Sequence, residues 1–355
     1  MLITINRIPV IKKRVAPFFA IVSIFFASCS LLQAQLPLLS YQDLANLEDY
    51  SFFQSKCTFQ DSRGLIWIGT MMGLNRWDGN RLTRYPDIFI DSVRLRETWI
   101  TSIAEDNNND LWIACMGKGL VKYDLEHEKF TLEYYPDDST FNVIISDINY
   151  DPKGFFWLRT YRKLYKYYPK MERITQVPYE DIDENTIDVG SRDMAFDSTG
   201  VLWITNKNGL YYYDTKKEIL KLQQFKRLEF DLEGVLYNRI SIDRYGNFWM
   251  LGDRSELVKF NPYSKRIELV RPRKDRSALP TTIGGVQVDK QGKVWFGMTE
   301  GLLCHDPVTG ETTTFVPNET PFLIQDILMD SNGNLLISTY DGVKIIDRTD
   351  LKIRT

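Results

Sequence analysis

The sequence predicts an all-β chain folded as a single seven-bladed β-propeller, with four antiparallel strands per blade. Three observations lead there. A motif of Asp, Gly and Trp at fixed spacing returns seven times. Each copy is followed by short runs with strand-like alternation, and the repeat carries no helix. The period, in the low-to-mid forties, suits a blade.

The copies begin at Asp61, Asp106, Asp151, Asp197, Asp243, Asp289 and Asp330, spaced 45, 45, 46, 46, 46 and 41 residues apart. Three residues on stand Gly64, Asn109, Gly154, Gly200, Gly246, Gly292 and Gly333. Three further on stand Trp67, Trp112, Trp157, Trp203, Trp249 and Trp295, with Leu336 in the seventh copy. The Asp–x–x–Gly step reads as a tight turn. Its carboxylate accepts from backbone N–H groups one or two residues on, and Gly takes the positive-φ position. Asn109 fits the same place, because Asn tolerates that conformation best after Gly. The Trp falls on a fixed face of the next strand, where its ring fills the wedge between sheets. In the second copy the strands are expected at Thr101–Glu105, Leu111–Cys115, Leu120–Asp124 and Phe130–Tyr134. Blades run at about 55–98, 99–142, 143–190, 191–237, 238–281, 282–322 and 323–355. Leu36–Tyr41 lies too far ahead of the first inner strand to belong to it. It is expected to pair with the last blade, beside or instead of Leu351–Thr355, and so latch the ring.

The chain of 355 residues is 43% apolar and 26% charged, with a formal net charge of −3. Four bases and no acid lie in the first 34 residues, so the body after them carries −7. A mildly acidic body without a basic stripe argues against nucleic acid as the main partner. Residues 1–34 have the layout of an export leader: Lys12-Lys13-Arg14, then an uncharged run from Val15 to Leu32. Three outcomes stay open. These are cleavage after Ala34, lipidation at Cys29 within the lipobox-like Phe26-Ala27-Ser28-Cys29, and retention as an anchor. Under all three the body is exported, periplasmic, and tied to a membrane only through the leader or a lipid. Cys57, Cys115 and Cys304 have no short spacing and are expected as buried, unpaired side chains in strands.

The fuller motif, Asp–x–x–Gly–x–hydrophobic–Trp–hydrophobic–Gly–Thr–x–x–Gly–Leu–x–x–Tyr–Asp, is clearest at Asp61–Asp78 and Asp197–Asp214. It resembles the two-component regulator propeller repeat, from about Leu36 to the C-terminus. In that family such repeats form the extracytoplasmic sensor of bacterial hybrid two-component systems, often recognising oligosaccharides. The resemblance therefore implies a sensory, ligand-binding propeller with an oligosaccharide ligand and a histidine kinase or sensor partner. Those sensors usually carry a second ring, a linking domain, a membrane span and kinase modules. None of these is in this sequence, so the chain is expected to lack its own kinase.

A ligand would sit where loops d-to-a and b-to-c share one face beside the channel mouth. Long d-to-a connections (Pro86–Thr98, Pro178–Arg192, Arg271–Thr281) lie there. Trp99 is the first expected sugar platform. Arg159, Tyr161 and Arg162, placed in the third b-to-c turn, and Arg192, Asn238 and Arg239, at strand a entrances, supply the polar groups. The six register tryptophans are core, and the acidic stretch Glu180–Glu184 is a solvated loop. No catalytic residue, metal site or cofactor is expected. A propeller lyase of the streptogramin-inactivating kind is the weaker alternative, since such chemistry leans on histidines and only His127 and His305 occur. A protein–protein scaffold or truncated sensor fragment without a small ligand is the other.

Overall fold

The computed structural model describes residues 38–39, 42–43, 54–85, 89–90, 93–94, 98–134, 144–160, 163–180, 193–206, 209–223, 237–252, 256–271, 284–298, 301–317 and 324–346. They form seven antiparallel sheets with strands a to d in order from the axis outward. Blade 1 comprises Ser55–Gln60, Ile66–Thr70, Gly73–Trp77 and Leu82–Tyr85; blade 2, Ile100–Glu105, Leu111–Cys115, Gly119–Asp124 and Lys129–Tyr134. Blade 3 comprises Ile145–Asp151, Phe155–Thr160, Leu164–Tyr168 and Arg173–Val177; blade 4, Asp193–Phe196, Leu202–Asn206, Gly209–Asp214 and Ile219–Leu222. Blade 5 comprises Tyr237–Ile242, Phe248–Gly252, Leu257–Asn261 and Arg266–Arg271; blade 6, Val286–Val288, Val294–Met298, Gly301–His305 and Thr312–Pro317. Blade 7 has strands a to c at Ile324–Met329, Leu335–Thr339 and Gly342–Ile346.

The fourth strand of blade 7 is Gln42–Asp43, antiparallel to strand c with Gln42 opposite Ile345. The outer strand of blade 7 is therefore N-terminal, but it lies just beyond Leu36–Tyr41, the segment expected there. Leu38–Leu39 adds a parallel fifth strand to blade 6, beside Val316 and Pro317, before the chain crosses to blade 7. Residues 351–355, the other expected latch, lie outside the described residues. The first d-to-a connection holds a small hairpin of its own, Phe89–Ile90 with Val93–Arg94.

Each a-to-b link is a three-residue loop in which the Gly N–H donates to the Asp carbonyl, as Gly64 does to Asp61 at 2.9 Å. Gly154 sits at φ +92° and Asn109 at +64°. The Asp carboxylate reaches farther than expected, to the N–H groups two and four residues on: Arg63 at 3.1 Å and Leu65 at 2.9 Å in blade 1. Its second oxygen accepts the indole N–H of the register tryptophan. The distances are 2.9 Å for Trp67 on Asp61, Trp112 on Asp106, Trp203 on Asp197 and Trp295 on Asp289. They are 3.1 Å for Trp157 on Asp151 and Trp249 on Asp243. In blade 7, where Leu336 replaces Trp, the Asn334 side-chain amide takes that oxygen of Asp330 at 2.9 Å.

The core is seven wedges, one per blade junction. Trp67 packs with Ile100 and Ile103 of the next blade, and Trp203 with Ile240, Phe248 and Met250. The last wedge sets Leu336 and Val343 of blade 7 against Ile66 and Ile68 of blade 1. Across the same junction the Ser331 N–H donates to Gln60 at 2.7 Å and the Gln54 N–H to the Tyr340 carbonyl at 2.8 Å. The ring is closed.

Candidate functional site

Strand a lines the axis, and its first residues open on the face that carries the b-to-c turns. The Trp99 carbonyl fixes that geometry in blade 2 by accepting from the N–H of Met116, in the b-to-c turn, at 2.8 Å. Strands a of blades 1, 2, 3, 5 and 7 each have a bulge at the second or third residue. A bulge re-aims side chains and is common beside functional sites. The residue four before each turn Asp follows it, and these seven equivalent positions are Cys57, Ser102, Asp147, Asp193, Arg239, Gly285 and Asp326.

Three of these side chains, Ser102, Asp193 and Asp326, tie their blade to the next. Asp193 accepts from the Ile240 N–H of blade 5 at 2.7 Å and from its own neighbour Met194 at 3.0 Å. Asp326 likewise accepts from Thr58 of blade 1 and from Ile327. Ser102 donates to Asp147 at 2.7 Å and accepts from the Ile148 N–H at 3.3 Å. Blade 6 has Gly285 there because a Cβ would meet the Ile327 amide nitrogen at 2.6 Å and Asp326 Oδ1 at 3.3 Å. Two arginines and a lysine balance the three carboxylates. Arg159 lies 3.7 Å from Asp147, and Arg239 lies 3.9 Å from Asp326 while donating to the Gln325 carbonyl at 3.4 Å. Lys56 is the third base, in electrostatic reach of Arg239 and Asp326.

Burial decides the electrostatics. It pushes the Asp193 carboxyl up to about 6, although Arg239 favours its charge. Burial raises Asp326 too, again against Arg239. It lowers Lys56, helped by repulsion from Arg239. Burial also lowers Arg159 in spite of Asp147 and Asp193. At Arg239 burial works against the charge, yet Asp326, Asp193 and Asp147 together raise its pKa. The Cys57 thiol is pushed well up by burial and is no nucleophile.

Among the residues expected from sequence, Arg239 and Arg159 come together at this ring, through Asp147 and Asp193. Arg159 lies inside strand b, not in the b-to-c turn, because that strand extends through Thr160. It is buried, so it orients the carboxylates more than it presents itself. Trp99 is half-buried on the expected face, and its indole N–H has no hydrogen-bond partner among the described residues. Asn238 lies in strand a of blade 5 by its backbone. Tyr161, Arg162, Arg192 and Cys29 lie outside the described residues. Lys56, Asp147, Asp193 and Asp326 escaped sequence reading. The signal was present: an ionisable residue four places before the turn Asp in blades 3, 4, 5 and 7.

Other groups are poorly placed for chemistry at the mouth. His305 is buried in strand c of blade 6, 3.0 Å from Thr312 Oγ1, and burial lowers its pKa. His127 is exposed in the c-to-d turn of blade 2, on the opposite face. Cys57, Cys115 and Cys304 form no disulfide among the described residues, and the last two are buried. Glu180 pairs with Lys217 at 3.1 Å. Among the described residues no group of three or more His, Cys, Asp or Glu is placed to hold a metal, and no helix is long and apolar enough to cross a membrane.

A family model for the two component regulator propeller matches residues 94–117, from ahead of strand a to the end of strand b in blade 2. No curated protein matches the chain by sequence. The extracellular domain of the hybrid two component system BT4673 from B. thetaiotaomicron superposes with a TM-score of 0.69 at 15% identity, over 87% of this chain and 40% of that one. That of BT3049 from the same organism gives 0.62 at 20% identity, over 88% and 42%. Virginiamycin B lyase from Staphylococcus aureus, solved with quinupristin, gives 0.66 at 11%, over 87% and 99%. At these identities the likeness is one of fold, and the chain spans about two fifths of the length of the two sensor domains. The family match thus lies in blade 2, and the two sensor domains and the lyase share the propeller fold of this chain.

Proposed function

We propose that the chain is an exported sensory propeller that binds an oligosaccharide at the channel mouth, its occupancy read by a histidine kinase. The observation that carries this is the ring of ionisable groups. Among the described residues, Asp147, Asp193 and Asp326 face Arg159, Arg239 and Lys56 in equal number, so this ring offers many fixed hydrogen-bonding groups of balanced charge. That suits a neutral polyhydroxylated ligand, whose hydroxyls both donate to carboxylates and accept from guanidinium groups. The backbone of the next blade already holds Asp193 and Asp326, so little orientation is lost on binding. Trp99 supplies an apolar face beside them. Export rests on the basic and apolar stretch ahead of residue 35. The two sensor structures with this fold are extracellular domains, which supports both export and sensing.

A thermal-shift screen with neutral glycan fragments tests the binding. A ligand at about a hundred times its Kd adds about 2.7 kcal/mol of stability. The shift should appear with at least one fragment and vanish in Asp193→Asn and Arg239→Met. A shift that survives both substitutions places the sugar elsewhere.

A docking role has one observation in its favour. Met72 and Tyr340, in b-to-c turns of the adjoining blades 1 and 7, are 45% and 43% exposed on this same face. A partner protein seated there would lose affinity in a Met72→Asp, Tyr340→Asp double variant, while a sugar at the mouth would not.

A further inference from the structure

The seven junctions are not equal on the opposite face. Between the outer strands of blades 1 and 2 lies a cleft of about 660 Å³, bordered by Arg76, Tyr85, Tyr123, His127, Lys129 and Phe130. Its walls are aromatic: Tyr123 stacks on Phe130 at 4.2 Å, and Tyr85 meets them edge-on at 5.9 and 5.6 Å. The Tyr85 and Tyr123 hydroxyls hydrogen-bond to each other.

Arg76 lies opposite Trp67 in the b–c ladder, with its guanidinium carbon 5.8 Å from the Trp67 ring and 5.9 Å from the Tyr85 ring. The same register holds a lysine in blades 2, 3 and 5, and in blades 2 and 3 an acid answers the charge. Lys122 is 2.8 Å from Asp110, and Lys166 donates to the Tyr213 hydroxyl and lies 3.5 Å from Glu218. Arg76 has no such partner among the described residues, and its Nε is buried without a hydrogen bond. A buried donor left so costs about 1–3 kcal/mol. Two more bases border the cleft. Lys129 is exposed, and Asp124, 2.9 Å from the His127 ring, favours the charged imidazole. Glu128 is the one acid among the bordering residues.

We propose that this cleft is a second ligand site, which takes a carboxylate carried on a ring. The carboxylate would lie on Arg76, whose fork matches it, and the ring would lie against the aromatic walls. A uronic acid sugar and an aromatic carboxylate share that chemistry.

Titration calorimetry on the full chain, at moderate salt, tests it with four probes: a galacturonate disaccharide, benzoate, and the methyl ester of each. At least one free acid should bind, and its ester should bind at least about tenfold more weakly. Whichever acid binds names the source of the carboxylate. Arg76→Gln should reproduce the ester's loss, and Asp193→Asn, at the other face, should leave it unchanged. If Arg76→Gln fails to fold, Lys129→Glu at the exposed start of strand d decides instead, with a loss of several-fold. Neither acid binding, acid and ester binding alike, or acid binding unaffected by both variants would overturn the proposal.

Discussion

One carboxylate per blade does two jobs, and this shapes what single substitutions do. The Oδ1 atom of Asp197 closes its turn on the N–H groups of Thr199 and Val201, while Oδ2 receives the Trp203 indole. Turn and wedge thus share one residue. Trp203→Ala should destabilise by about 3–5 kcal/mol, as large buried aromatics do, in denaturant titration. A loss below about 1 kcal/mol would contradict the packing. Trp203→Phe keeps most of the ring but strands Oδ2 of Asp197, so a loss of about 1–3 kcal/mol is expected. The register of Asp and Trp is plain in the sequence, but the bond between them is not, because it depends on the strand's twist past the turn.

At the mouth the same scale gives a pH signature. Asp193 has a folded pKa of about 6, above its ordinary 3.8. The folded state then holds the proton more tightly than the unfolded one. Its contribution is most favourable below about pH 4 and declines as pH rises through 6. Asp214 has the opposite tendency, held at about 2 chiefly by Lys221, so total stability mixes the two. The difference between parent and variant isolates Asp193. Asp193→Asn should gain stability relative to the parent as pH rises from 4 to 7, in paired denaturant titrations. A difference that stays flat across that range would contradict the burial assigned to this carboxyl.

The turn and the bulge are the elements that place everything else. At Gly154, with φ +92°, a Cβ would find nothing within 4 Å. The cost of Gly154→Ala is therefore conformational alone, about 1–2 kcal/mol. Asn109→Gly, at φ +64°, relaxes the same position and should change stability by less than about 1 kcal/mol. Thermal unfolding of the two variants side by side checks the pair. The turns were legible because Asp, Gly and Asn act there through local sterics. The mouth was legible only in part. Its seven equivalent positions hold Cys, Ser, Asp, Asp, Arg, Gly and Asp, which share a spacing from the turn Asp and no chemistry. Arg239 stood out by its position at a strand entrance, whereas Asp193 and Asp326 gain their meaning from the neighbouring blade's N–H groups.

For the whole molecule, closure turns seven marginal sheets into one frame. Each blade buries its tryptophan against the next, and the seventh wedge uses Leu336, Ile66 and Ile68. An open arc would expose that apolar wedge and release Asp326 from Thr58, so the charged mouth depends on the ring being sealed. The repeat count foretold seven blades. The crossing of the N-terminal segment over two blades was not foretold, since two-residue strands carry almost no pattern.

The segment ahead of blade 1 seals this ring as the outer strand of blade 7. Paired cysteines at Gln42→Cys and Ile345→Cys test it directly, because facing residues of an antiparallel pair lie about 4.5–5.5 Å apart, within disulfide reach. Mild oxidation should join them in near-full yield, seen as a mobility change on a non-reducing gel that is reversed by reductant. Two free thiols after oxidation of the folded protein would contradict the closure and the site that depends on it.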